Sequence, residues 1–200
     1  MSSPNGAGVD AGAYRWVVHA AQHTPQSVDQ AVRLFSDYGL GLFAVLMLLA
    51  WWRARSADGR TMAGALAAPL VTVAAFALND AVKSLVTEER PCLALHMART
   101  VEPCPGATDW SFPSNHAAVG AAVAVALLLA DRRLGLAAAP LALLLAASRV
   151  WIGVHYPHDV AAGVVLGTLT AWLLGLAARR AAPLVERWRL GPLRPVLAAS

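Results

Sequence analysis

Apolar residues gather in five runs along this chain, at about 38–54, 61–82, 114–130, 135–153 and 157–178. A bilayer core takes about 20 residues of helix, so the runs predict membrane spans. The third has only about 17 residues before Asp131-Arg132-Arg133 stops it. Its other end, at Ser114 and His116, is therefore expected low in the outer interface. Residues 14–36 mix the two kinds of position: Val28, Val32, Leu34 and Phe35 stand against Asp29, Gln30 and Arg33. An interfacial amphipathic helix fits them better than a span. The expected fold is all-α, a polytopic membrane helical bundle of about five transmembrane helices plus an N-terminal interfacial helix. Residues 1–13 are expected to be disordered, 14–180 to form the membrane domain, and 181–200, rich in Arg and Pro, a cytoplasmic tail.

Composition agrees with the pattern. Of 200 residues, 58% are hydrophobic and only 14% charged, where a soluble domain carries about a quarter. The net charge of +4 does not point to nucleic acid, because the arginines cluster at the edges of apolar runs rather than along one stripe. Residues 1–14 have neither a basic start nor an apolar core, so the first span is expected to serve as the insertion signal. Ten basic residues (Arg53, Arg55, Arg60, Arg132, Arg133, Arg179, Arg180, Arg187, Arg189 and Arg194) fall at one set of helix ends, and six (Arg15, Arg33, Lys83, Arg90, Arg99 and Arg149) at the other. The bias puts the first set in the cytoplasm of a cell-membrane protein and the second outside. The stretch 84–113 is a long external connection holding both cysteines, Cys92 and Cys104. An oxidising compartment favours a disulfide between them over two free thiols.

Charge at the external ends changes the picture from membrane protein to chemistry. Lys83 is the single lysine, and Arg90-Pro91 follows seven residues on. Pro113-Ser114-Asn115-His116 opens the third run, and Ser148-Arg149, His155 and Asp159 flank the gap between the last two. Three cations near a membrane surface are costly unless an anion satisfies them. Each alone reads as a snorkelling residue; together they suit a phosphate, whose transfer needs positioning and positive charge. Ser114 and His116 sit at a helix start, where free N–H groups favour an anion, although Ser114 alone reads as an N-cap. His116 is placed to protonate a leaving oxygen. Asp159, four residues after His155, can hold one ring nitrogen and leave the other to attack; the plainer alternative is an Asp that caps its own helix. His158 reads as interfacial and not catalytic. Asp80 is expected to orient Lys83 or form an ordinary ion pair with it. With no HExxH and with carboxylates few and scattered, neither metal nor other cofactor is expected.

The three motifs together resemble those of the type 2 phosphatidic acid phosphatase superfamily, whose pattern is K-x6-RP, PSGH and SR-x5-H-x3-D. They span 83–159, and the hydropathy pattern extends the likeness over roughly 38–178. The resemblance implies a helical bundle, a phosphohistidine on His155, His116 as general acid and no metal. It also implies phosphate binding by Lys83, Arg90, Ser114 and Arg149, with backbone N–H groups of Asn115 and His116. Asn115 departs from the usual glycine. Phe35-Ser36-Asp37-Tyr38-Gly39, Ser111 to Ala117 and Val154 to Val160 look most like bacterial undecaprenyl diphosphate phosphatases, with phosphatidylglycerophosphate and phosphatidate phosphatases as rivals. Vanadium haloperoxidases share the motifs but are large and soluble. The expected partner is a lipid phosphate substrate in the bilayer. A lipid-phosphate-binding protein without activity is the alternative of another class.

Overall fold

The computed structural model describes residues 7–97, 99–191 and 193–199. In chain order the helices are α1 (Ala7–Gln22), α2 (Gln26–Ala54), α3 (Gly59–Val86), the single turn α4 (Pro91–Ala94), α5 (Asn115–Ala130), α6 (Arg132–Trp151) and α7 (Pro157–Ala178), followed by α8 (Ala182–Arg189) and α9 (Arg194–Leu197). Four stretches are long and apolar enough to cross a membrane, Gln26–Ala54, Gly59–Val86, Arg132–Trp151 and Pro157–Arg189; α5 is the shorter fifth. The bundle is a multi-pass membrane protein. Large apolar side chains such as Leu48, Leu70, Val73, Leu143, Leu169 and Leu173 stand exposed on its flanks, surface that a lipid environment covers.

α5 is the axle of the bundle. It packs against α3, α6 and α7, and residues Ala117, Ala118 and Ala122 to Ala124 are buried on several of its faces. A helix enclosed on all sides carries apolar residues all round, which is why 115–130 reads as one unbroken run. Small residues allow the enclosure. A Cβ at Gly167 of α7 would collide with the carbonyl of Ala118, and one at Gly163 would meet Ser114 O and Ala117.

Two boundaries differ from expectation. Residues 26–36 are not a separate interfacial helix but the first turns of α2, because Pro25 can start a helix and no further proline follows it before Ala54. The interfacial role is left to α1, and residues 7–13 of the stretch expected to be disordered belong to it; residues 1–6 lie outside the described residues. α1 docks by Tyr14, whose hydroxyl donates to Gly153 O (2.8 Å) and whose ring meets Tyr156 (centroids 5.6 Å). The tail is not loose: Val185 and Leu197 are buried in the α2/α3 end of the core, and Arg189 donates to Ala57 O (2.7 Å) and Arg55 O (2.9 Å).

Candidate active site

Alternation of direction brings the motifs to one end. α3 finishes there, α5 starts, α6 finishes and α7 starts. Lys83 lies in the last turn of α3, which stops where Thr87 takes a left-handed backbone (φ 49°) and returns its N–H to Lys83 O (3.2 Å). Arg90 precedes α4, Ser114 is the N-cap of α5, Arg149 is in the last turn of α6, and His155 sits in the turn before α7. Lys83, Arg90, Ser114, Arg149, His155 and Asp159 are all buried; His116 and Asn115 are half-buried.

His155 is held from both sides. Its Nδ1 lies 3.3 Å from Asp159 Oδ2, and its Nε2 3.2 Å from Arg90 Nη1. A guanidinium can only donate, so Nε2 is the acceptor and the proton sits on Nδ1, facing the carboxylate. The unprotonated nitrogen, whose lone pair accepts from Arg90, therefore points into the cationic group. Burial, reinforced by Arg90, Arg149 and Lys83, holds the imidazole well below its ordinary pKa and keeps it neutral. Asp159 Oδ2 also accepts from Tyr156 N–H (2.7 Å) and Ser111 Oγ (2.9 Å). The Ser114 N–H donates to Asp159 O (3.0 Å), tying the start of α5 to the start of α7.

The cations are partly occupied by the chain itself. Arg90 bonds Asp109 twice, through Nε to the backbone carbonyl (2.7 Å) and through Nη2 to Oδ1 (2.9 Å). Arg149 Nη1 donates to Ser36 Oγ (2.8 Å) and lies 3.8 Å from Glu102 Oε2. Ser114 Oγ and Arg149 Nε are buried without any hydrogen-bond partner. Orphaned donors of this kind are rare in folded proteins and ask for an acceptor. A tetrahedral oxyanion supplies several.

Three expectations change. Asp80 makes no salt bridge with Lys83; it accepts from Asn115 Nδ2 (3.4 Å) instead. Asn115 in turn bonds Asn79, which also donates to Pro113 O (3.1 Å), so the residue in place of glycine is anchored to α3. His158 is not a bystander at the interface. Its Nδ1 lies 2.8 Å from Asp10 Oδ1 and its Nε2 3.0 Å from Glu88 Oε1. Nor are the carboxylates scattered: Glu88, His158 and Asp159 bring ligand-type atoms within 4.8 Å of one another. The ring nitrogen of His158 already lies between those two carboxylates, as in an ion-pair cluster. Ser36, Glu88, Glu102, Asp109 and Ser111 were not singled out by type or spacing. Only Ser36 and Ser111 left a trace, within the stretches 35–39 and 111–117. Cys92 and Cys104 are bonded, with Cα atoms 6.0 Å apart, and close the connection that carries Arg99 and Glu102.

The sequence profile of the PAP2 superfamily matches residues 62–181. The chain is 28% identical to undecaprenyl-diphosphatase BcrC of Bacillus subtilis over 156 residues, 78% of each protein. It is 37% identical to an undecaprenyl-diphosphatase of Sulfolobus acidocaldarius over 105 residues, 50% of this chain and 48% of that one. Its fold is similar to that of a transmembrane PAP2 type phosphatidylglycerolphosphate phosphatase from Bacillus subtilis, with a TM-score of 0.59 at 22% identity over 84% of this chain and 86% of that one.

Proposed function

Because the chain belongs to the PAP2 superfamily and is a membrane phosphatase, we propose that it removes the terminal phosphate of a polyprenyl diphosphate of the undecaprenyl type. The observation that carries the reading is the pair of buried, unpartnered donors, Ser114 Oγ and Arg149 Nε, around a neutral His155. His155 Nε2 attacks the terminal phosphorus; an N–P bond forms as the bridging P–O bond breaks. Lys83, Arg90, Ser114, Arg149 and the N–H groups of Asn115 and His116 take up the charge on the equatorial oxygens. His116 protonates the departing lipid phosphate. Water then attacks the phosphohistidine, His116 accepts its proton, and inorganic phosphate leaves with His155 restored. Asp159 steadies the imidazole while it carries positive charge.

Depth supports a lipid substrate. The 16 residues of α5 span about 24 Å, less than the ~30 Å hydrocarbon core. A headgroup then lies at the level of Ser114 while its tail rests on the apolar flanks. Three cations suit a diphosphate, and a lipid monophosphate departs more readily than an alkoxide. The arginine bias supports a site outside the cytoplasm. The polyprenyl choice comes to this chain from the relatives' names.

Phosphate release by detergent-solubilised protein tests the reading. The highest kcat/KM is expected on undecaprenyl diphosphate, ahead of phosphatidate and phosphatidylglycerophosphate. Preference for a glycerolipid would overturn the substrate and leave the phosphatase; binding without release on every lipid would overturn the activity.

A further inference from the structure

The carboxylate behind His155 has two oxygens, and the mechanism above uses one. Asp159 Oδ2 is saturated by Tyr156 N–H, Ser111 and His155. Oδ1 is buried with no hydrogen-bond partner, and the side chain is 0% exposed. Close by, Glu88 brings a second carboxylate, sharing Ser111 Oγ at 3.4 Å. Two buried anions side by side repel unless a cation lies between them. Arg90 is engaged by Asp109, Val154 O and His155 Nε2, and Arg149 by Ser36 and Glu102. Among the described residues, the basic side chains within 4 Å of Asp159 are His155, which is held neutral, and His158.

His158 meets that need by geometry. Nε2 lies 3.0 Å from Glu88 Oε1 and 3.4 Å from Asp159 Oδ1; Nδ1 lies 2.8 Å from Asp10 Oδ1. A neutral ring would set one lone pair against a carboxylate; only the imidazolium donates from both nitrogens. The ring stacks on Tyr156 (centroids 5.2 Å, planes 19° apart), and Phe112 lies 5.9 Å away. The main chain is gripped as well: the His158 N–H donates to Asp10 Oδ2 (2.7 Å). Asp10, from the distant α1, thus satisfies an N–H of the first turn of α7 that no residue of α7 reaches.

We propose that His158 is a positioning residue: an imidazolium clasped by Asp10 and Glu88 that fixes the free oxygen of Asp159 and so aims His155 at the phosphate. α1 then belongs to the working site through Asp10, and Glu88 is the counter-charge that makes the cation necessary. The kinetic consequences rest on the proposed phosphatase activity; the charge state of the ring does not.

Histidine-selective nitrogen labelling of the wild-type protein in detergent tests the charge state. The resonance lost in His158→Gln should carry the shifts of a doubly protonated ring at neutral pH. The shifts of a neutral tautomer would overturn the proposal, and this readout stands even if no lipid is hydrolysed, the outcome that would instead sink the proposed function. Kinetically, His158→Gln should lower kcat roughly 10- to 100-fold with KM nearly unchanged, as expected when a reacting group is misplaced but substrate contacts remain. Adding Glu88→Gln to that variant removes the unbalanced anion and should restore most of the loss. A merely structural role predicts that the two losses add, and a double variant no better than His158→Gln would overturn the proposal. If His158→Gln does not fold, Asp10→Asn keeps an acceptor for the backbone N–H while removing the charge. It should lower kcat severalfold at constant KM, and unchanged kcat would refute the clasp.

Discussion

One imidazole, His155, forms the covalent intermediate of the reaction proposed here, and its surroundings set what each substitution does. His155→Ala should lower kcat by about 10⁴-fold or more, as for the loss of other nucleophiles. Asp159→Asn should cost roughly 10³-fold, because an amide can present its N–H to Nδ1 and stabilise the wrong tautomer. Phosphate release by the two variants, with thermal unfolding as a control of folding, checks both. Near-normal turnover by His155→Ala would end the assignment. The same burial gives a pH signature. His155 has a folded pKa well below its ordinary value, set by burial first and by Arg90, Arg149 and Lys83 next. Its contribution to stability is therefore whole above the ordinary value of about 6.5 and is lost as pH falls, because the unfolded chain takes a proton that the folded site refuses. Between about pH 7 and pH 5 the unfolding midpoint should fall, and less steeply in His155→Gln. Equal slopes in the two proteins would show that the ring is not held neutral.

At the scale of elements, the site depends on how closely α7 approaches α5. The Ser114 N–H reaches Asp159 O at 3.0 Å only because Gly163 and Gly167 leave no side chain between the helices. Gly167→Val should force α7 off the Ala118 carbonyl and destabilise the bundle by about 1–3 kcal/mol. It should also lower kcat, since Asp159 and Ser114 ride on the two helices being separated. Gly41, where an added Cβ meets nothing within 4 Å, is the control site: Gly41→Ala should leave both quantities close to wild type. Unfolding in detergent and phosphate release on both variants measure the contrast.

For the whole molecule, charge decides orientation and cofactor need. Ser56→Cys, beside the α2–α3 turn, should be labelled only from the cytoplasm, and Thr108→Cys, in the connection before α5, only from outside. The native cysteines are bonded to each other and do not compete for the label. External labelling of position 56 on intact cells would invert the topology. In the proposed reaction, three side-chain cations take the place that a metal holds in other phosphatases. Activity should therefore survive excess chelator, and vanadate, which can take the five-coordinate geometry of phosphorus in transfer, should inhibit. Loss of activity in chelator with recovery on Mg²⁺ would contradict this.

Much of this was written linearly. Helices in lipid must be apolar wherever lipid or another helix covers them, so hydropathy alone located α3, α5, α6 and α7 to within a few residues. The motifs were legible because Lys83, Arg90, Ser114, Arg149, His155 and Asp159 belong to types that membrane segments otherwise exclude. The start of α2 was obscured because Asp29, Gln30 and Arg33 interrupt the apolar pattern within what is one continuous helix. Glu88, Asp10 and His158 could not be paired from spacing: they come from a connection, from α1 and from α7, and His158 lies 148 residues from Asp10. Local sequence determines which residues can be buried in a membrane. Only the packing of α1 and the 84–113 connection over the helix ends decides which charges meet, because a buried charge is tolerated where the fold delivers its partner.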